Sequence, residues 1–472
     1  MNGALGASAR GVHRSARVAS AAPDPLAAAK APLDGRVVLP LVATWVALSC
    51  FPGLALPDIE GMPYLSADRI AMVLLVGYAA AWMALRRARL GRFSITECGL
   101  WCLVLIATVS GIVFGAFGSG YQGARVSILL NFLLYPAVLY SVLWRTRYDA
   151  RDLASAAGIL TLLAAYLGVT AVLERTSFTW LLVPPSIGDP TITQHWGRSR
   201  GPFLQAEFNG AVMVQLLPIV IYQLKSARWG ARLLALFTIP VLGVGVYLTE
   251  TRAAILSLAV LVLAGAMIQH AARRIYLWLG VALALGSAVL FGSGVPLVPR
   301  MEEVNPLLDR INLLLVTLGM FVMHPIVGIG FGNFDLYQIE FFRRPTVLGE
   351  YAAAVPGGFW AGGTHNTLVT PLAEMGLLAG GLFIALAVGG TIAALVNGYR
   401  AGRGEKPGAP VGVSVCAGLA GLAFLVNAVF VELRFTATPN AIFWVLLALA
   451  QSSSPRKASW FSRPGRERVL VS

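Results

Sequence analysis

Charge is scarce in this chain, and lysine scarcer still. Only 12% of its 472 residues are Asp, Glu, Lys or Arg, while 57% are apolar. A soluble globular domain carries about 25% charged residues, so this composition excludes an ordinary water-covered fold. Cysteine is equally thin, with four in all. Cys50, Cys98, Cys102 and Cys416 sit in or at the edge of apolar runs, which excludes a disulfide framework in the polar connections. Cys98 and Cys102 share a helix face, a placement that suits packing more than metal binding. The long polar connections also lack Asp-x-Asp pairs, His-x-x-x-His, Gly-x-Ser-x-Gly and a lysine-bearing phosphate loop. Metal centres, hydrolases and ATPases of those kinds are therefore not indicated.

What is there is a succession of apolar runs, at about 37–56, 68–85, 98–117, 126–144, 154–173, 209–224, 231–248, 252–269, 275–292, 367–393, 411–431 and 437–451. A helix of roughly 20 residues crosses a ~30 Å hydrocarbon core. Residues 231–269 are too long for one crossing, so Thr249-Glu250-Thr251-Arg252 must be a tight turn at a surface. The pattern predicts an all-α polytopic membrane protein of about twelve transmembrane helices, with a long extracytoplasmic loop between the ninth and tenth. The sixth and twelfth runs are the shortest.

Basic residues set the orientation. With the N-terminus inside, 25 of the 36 Lys and Arg fall on the cytoplasmic side, including all four lysines. The other face keeps eleven, all arginine, spread over longer connections. Both termini are then cytoplasmic in the cell's inner membrane. The net charge of +14 reflects this bias, and no nucleic-acid partner is needed to explain it. Residues 1–36 read as a disordered cytoplasmic tail, 37–451 as the membrane domain and 452–472 as a basic cytoplasmic tail. The first apolar run is long for a signal-peptide core and reads as an uncleaved anchor.

Two outer connections stand out, at about 174–208 and 293–366. The second is too long for a plain loop. It holds an apolar stretch, Leu307 to Val327, interrupted by Arg310 and Asn312. A thirteenth crossing there would move Arg400, Arg403 and Lys406 outside, so the stretch is expected to lie on the surface or re-enter. Gly328-x-Gly330-x-Gly332 then forms a turn. No strand precedes it, so it is not a dinucleotide fingerprint.

Three polar clusters fall on the outer face. They are His195 to Phe203, Thr249 to Arg252, and Thr364-His365-Asn366 with Glu374. Arginine grips phosphate through a planar fork and stays charged in any surroundings. Arg198, Arg200 and Arg252 are therefore candidates for an anionic ligand, lipid headgroups being the other reading. As a set they favour a specific anion, because lysine would snorkel equally well yet is missing from this face. His365 is either a helix-end residue or a general base, since imidazole titrates near neutral pH. Glu374 either suits the first turn of a helix opened by Thr370 and Pro371 or orients that histidine. His324 and His195 are further candidates, while His13 and His270 fall on the cytoplasmic side.

These clusters resemble the O-antigen ligase and polymerase superfamily of multi-span glycosyltransferases. Arg198-Ser-Arg200-Gly201-Pro202-Phe203 resembles the family's Arg-x-x-Gly-x-Phe motif. The Asn-Pro-Asn-x-x-Gly that usually follows is here Gln205-Ala206-Glu207-Phe208-Asn209-Gly210, with only the glycine in register. Thr249-Glu-Thr251-Arg252-Ala-Ala is similar to the Ser-x-Ser-Arg-Gly-Ala element. His324-Pro325 through Gly328, Gly330 and Gly332 resembles the His-Pro-Leu-x-Gly-x-Gly-x-Gly segment. His365-Asn366-x-Leu368 and Glu374-x-Gly376 resemble the His-Asn-x-x-Leu and Glu-x-Gly pair. The likeness runs over about 160–450.

That resemblance implies an inverting transfer at the periplasmic surface that needs neither metal nor other cofactor. The donor would be an undecaprenyl-diphosphate-linked glycan within the membrane lipid, and the acceptor a lipid A core sugar or a growing glycan. Arg198, Arg200 and Arg252 would bind the diphosphate, supported by Arg310, Asn366, Glu374 and His324, and His365 would take the acceptor's proton. A ligase and an exopolysaccharide or O-antigen polymerase share these requirements. A transporter of small anions or polysaccharide is the reading from another class. It would favour internal repeats and ionisable groups at mid-membrane, whereas the ionisable groups here gather at the outer boundary.

Overall fold

The computed structural model of the chain describes residues 33–51, 66–86, 93–118, 122–176, 178–192, 195–226, 228–268, 272–292, 305–343, 364–403 and 411–452. Residues 1–32 of the expected N-terminal tail, the C-terminal tail from 453, His13, His270 and the stretches 293–304 and 344–363 of the long loop lie outside the described residues. Residues 33–36, expected to be disordered, are ordered instead, Leu33–Asp34 pairing with Thr146–Arg147 and the first helix starting at Gly35.

The described chain is helical almost throughout. Its helices are α1 (Gly35–Leu48), α2 (Ala67–Leu85), α3 (Ile95–Val113), α4 (Gln122–Leu129), α5 (Tyr135–Trp144), α6 (Ala150–Leu173), α7 (Ala206–Gln223) and α8 (Trp229–Leu248). They continue as α9 (Arg252–Ile268), α10 (Arg273–Gly292), α11 (Asn305–Met323), α12 (Phe334–Arg343), α13 (Thr370–Gly402), α14 (Val411–Phe430) and α15 (Ala437–Ser452). Every one of the twelve apolar runs is occupied by a helix. Among the described residues, seven helices are long and apolar enough to cross a membrane, including the continuous Ala124–Trp144 formed by α4 and α5. This is an α-helical, membrane-embedded protein.

The sixth and twelfth runs look short because they are the centre of the bundle. Helices α7 and α15 are buried nearly end to end, and α5, α6, α8, α9, α13 and α14 pack around one or both of them. Surrounded by protein, they tolerate Asn209, Gln215, Thr438 and Asn440, all fully buried. Three of these find carbonyls: Asn209 on Ser199 (3.2 Å), Gln215 on Pro439 (3.3 Å) and Asn440 on Leu433 (2.8 Å). The peripheral helices show the opposite pattern. Val73, Leu105, Phe237 and Trp278 point outward and exposed, a display that water penalises and lipid does not. Cys98 and Cys102 share this outward face of α3. Their expected packing is thus corrected: they lie on the lipid-facing surface, where a thiol is simply one more weakly polar group.

Two irregularities position the site. Pro136 has no N–H for the carbonyl four residues back and its ring crowds that carbonyl, so the chain widens into a π-turn at Leu130–Leu134. Helix α13 breaks at Gly376, which adopts φ +69°. The break frees the carbonyls of Ala373 and Glu374, and these accept the N–H groups of Ile329 (3.0 Å) and Gly330 (2.9 Å). Leu377 in turn donates to Pro325 (2.7 Å). A Cβ at Gly376 would collide with the Ile326 carbonyl, and one at Gly328 with the backbone of Glu374. The Gly-x-Gly turn and the Glu-x-Gly element are therefore two halves of one contact, and both glycines are steric necessities.

The apolar stretch from Leu307 forms the helix Asn305–Met323, and Gly328, Gly330 and Gly332 follow it in a turn with positive φ. Within the helix, Leu313, Val316 and Met320 are buried while Ile311, Val322 and Met323 are exposed, an amphipathic arrangement that packs one stripe against α13.

Candidate functional site

At one end of the bundle, α6, α8 and α14 finish and α7, α9, α13 and α15 begin. The turn between α8 and α9 closes tightly because Glu250 accepts φ +51°. The Thr249 hydroxyl donates back to Val246 (2.7 Å), and Glu250 pairs with Arg175 beyond α6 at 3.2 Å. Arg198 lies over this turn. Its Nε donates to the Thr249 carbonyl (2.9 Å), its Nη2 to the Thr251 hydroxyl (2.8 Å), and its Nη1 meets His195 Nδ1 (3.0 Å). Arg252 then opens α9, at the end where the helix macrodipole favours an anion.

The His365 segment is held as firmly. His365 itself adopts φ +52°. Asn366 Oδ1 accepts from the N–H groups of Leu368 (3.0 Å) and Val369 (2.9 Å), capping the turn that leads into α13. Thr367 Oγ1 donates to Val431 (2.7 Å) and accepts from Leu433 N (2.7 Å). Thr364 Oγ1 donates to Glu432 Oε2 (2.6 Å). Beneath lies a buried ionic triad. Arg434 donates to Glu432 and to Glu374 Oε2, the latter at 2.6 Å, and all three residues are at most 3% exposed. Burial works against the Arg434 charge, but the two carboxylates outweigh it and hold the guanidinium ionised beyond its ordinary range.

Between these two constructions is a cavity of about 360 Å³. Its polar lining is Arg198, Glu207, Glu250, Thr251, Arg252, Arg310, Thr364, His365 and Asn366; Leu256, Leu314 and Phe430 are among its apolar walls. Residues separated by well over a hundred positions thus converge on one space. Arg310 comes from α11, so the helix within the long 293–366 connection supplies a wall. It lies near enough to Glu207 and Arg252 to feel both charges. Three guanidinium groups, the carboxylates of Glu207 and Glu250 and the imidazole of His365 thus share one concave, partly apolar space.

Other predicted residues are elsewhere. Arg200 does not line the cavity. It is 1% exposed and its fork is committed to the carbonyls of Ile187 (3.0 Å), Asp189 (2.7 Å) and Ile192, with its plane over Trp196. It holds the 187–192 loop closed. Glu374 does not orient His365 directly; it reaches the histidine's neighbour only through Arg434 and Glu432. Helix α13 does open at Thr370 and Pro371 as anticipated. His324 is exposed beyond the end of α11 and does not line the cavity. Glu174, just past α6, accepts from the N–H groups of Arg200 (2.9 Å) and Gly201 (2.8 Å), yet burial pushes its carboxyl up to about 7.

Glu207, Glu432 and Arg434 escaped the sequence reading. For the last two a signal existed: opposite charges two residues apart between apolar helices, where an ionisable group is rarely idle. Neither a protein-family model nor a curated protein matches this chain.

Proposed function

We propose that this protein is a membrane glycosyltransferase that moves a glycan from a polyprenyl-diphosphate donor, of the undecaprenyl type, to a sugar hydroxyl. One observation carries the reading: Arg198, Arg252, Arg310 and His365, drawn from separate segments, line a single cavity at one end of a lipid-embedded bundle. The arginines neutralise the diphosphate, first in the bound donor and then, more strongly, as the glycosyl–oxygen bond breaks and charge gathers on the leaving group. His365 receives the acceptor's proton as the new bond forms on the opposite face of the sugar carbon, which inverts the centre. Arg200 has a different part in this scheme. It stabilises the 187–192 loop, and the diphosphate role passes to Arg310.

The cavity end faces the periplasm in this proposal, with twelve crossings of the cytoplasmic membrane and both termini inside. The support is the basic-residue bias of the sequence, together with a cavity whose cations are all arginine. The lipid-borne donor then enters from the membrane and the polymeric acceptor from the periplasm. Whether the product is a ligated lipid A core or an extended polymer depends on the acceptor.

The test is transfer from a purified polyprenyl-diphosphate glycan in detergent or vesicles, offering lipid A core and free glycan as competing acceptors. Arg198→Lys and Arg252→Lys keep the charge but lose the planar fork. Each is expected to raise the donor KM about tenfold or more, the worth of one charge-assisted hydrogen bond. Arg200→Lys should instead lower thermal stability and leave the donor KM close to wild type. Unchanged donor KM in both cavity variants would remove the arginines from diphosphate binding.

A further inference from the structure

The cavity holds two carboxylates, which an anion site does not call for; Glu250 is paired with Arg175 at 3.2 Å, which leaves Glu207 to be explained. Glu207 sits in the first turn of α7 and lines the same space as the three arginines. A carboxylate only accepts hydrogen bonds, and so do the oxygens of a diphosphate. Its ligand-side partner must therefore be a donor. Its own position is also set from behind. His195 Nε2 stands 3.8 Å from Glu207 Oε2, and Arg198 Nη1 stands 3.0 Å from His195 Nδ1. Because a guanidinium can only donate, Nδ1 is the accepting nitrogen and the ring proton belongs on Nε2, directed at Glu207. Arg198 thus selects the tautomer whose N–H lies on the Glu207 side, at a separation too long for a hydrogen bond but short enough to support the carboxylate electrostatically. Both His195 and Glu207 are mostly buried, with side-chain exposures of 17% and 13%, so the pair is part of the wall and not a solvated surface contact.

Resting on the glycosyltransferase reading, we infer that Glu207, steadied by His195, is the sugar-hydroxyl receptor of the cavity, next to the arginines that hold the anion. An ionised carboxylate takes two hydroxyl donors at once, which suits neighbouring hydroxyls of a pyranose ring. The hydroxyls belong either to the donor's first sugar or to the acceptor. A helix first turn also welcomes an acidic residue for its own sake, and Glu207 additionally offsets the charge of Arg310. The experiment has to separate those duties from ligand binding.

Three ligands do so: a short-chain polyprenyl diphosphate without sugar, the same lipid carrying one sugar, and the free acceptor glycan. Each is titrated against wild type, Glu207→Gln, Glu207→Asp, His195→Gln and the double variant His195→Gln/Glu207→Gln, with thermal melts alongside. Glu207→Gln removes a negative charge beside Arg310, so the bare diphosphate should bind as in wild type or tighter, never more weakly. The same variant should weaken the sugar-bearing ligand that contacts residue 207 about tenfold, the loss from replacing a charged acceptor by a neutral one. Loss on the glycosylated lipid assigns the contact to the donor sugar, and loss on the free glycan assigns it to the acceptor. His195→Gln should weaken the same ligand, and do so only while Glu207 is present, because a positioning residue acts through its partner. If Glu207→Gln fails to fold, Glu207→Asp keeps the charge beside Arg310 and must still weaken the sugar contact by shortening its reach. A weakened Kd for the bare diphosphate, or no loss on either sugar-bearing ligand relative to the bare lipid, overturns the inference. Wild type that binds neither diphosphate lipid defeats the glycosyltransferase reading itself, and that result is visible before any variant is compared.

Discussion

His365→Ala inserts, folds and binds the donor diphosphate normally, yet loses about 10²–10⁴-fold in glycan transfer, the usual worth of a positioned general base. The expectation rests on how tightly the segment around it is held. On one side Thr364 donates to Glu432 at 2.6 Å; on the other Asn366 caps two backbone N–H groups. Removing the imidazole removes neither restraint. The backbone at 365 adopts φ +52°, a region that alanine enters no more readily than histidine. His365→Gly is therefore the informative companion, because it deletes the imidazole while relaxing the backbone. Both variants should fall together in turnover, with the glycine form at least as stable as the alanine form. Transfer measured from purified lipid-diphosphate donor, with melting curves for each protein, decides the matter. Near-normal turnover in either variant would leave His365 as a helix-end residue and return weight to a transport function.

The helical segments were legible because each run is apolar over a length that a membrane demands, and nothing in the packing overrode that. The turn at 249–252 was legible from length alone. Arg198, Arg252 and His365 were also readable one by one, as groups in polar breaks, and Arg310 as an interruption of an apolar stretch. Their convergence was not, since it depends on how α6, α7, α9, α11 and α13 pack, and periodicity says nothing about which helix ends meet. Arg200 shows the limit most clearly. Two residues from Arg198 and of identical chemistry, it turns the other way and spends its fork on three carbonyls. Glu374 is similar: expected in the first turn of α13, it lies just past that turn and belongs to a buried triad, because Arg434, sixty residues on, folds back against it. The Gly-x-Gly and Glu-x-Gly elements were each visible, but only the break at Gly376 explains why both are needed.

Arg434→Met is expected to destabilise the protein by about 3–5 kcal/mol, the cost of stranding buried charge when one member of an ion pair is removed. Glu374 and Glu432 would then face each other without a cation, each at most 3% exposed. Burial and like-charge repulsion both penalise the ionised forms, so at least one carboxyl must bind a proton or draw in water. The loss should be far smaller in the combination Glu374→Gln/Arg434→Met/Glu432→Gln, because a neutral trio leaves no unpaired charge, and buried ion pairs often exchange for neutral groups at little net cost. Melting temperature in one detergent at fixed pH measures both proteins. If the single variant melts like wild type, the triad is not holding this end of the bundle together. The triple variant then asks a second question of the same region. Thr364 now donates to an amide oxygen instead of a carboxylate, and Asn440 still pins the 433–436 turn through the Leu433 and Thr436 carbonyls at 2.8 and 2.9 Å. Stability should return while transfer stays reduced, because the charged contact that anchors the neighbour of His365 is gone. Full recovery of both would show that packing around α15 alone sets the histidine's position, and that the charges beneath it serve only the fold.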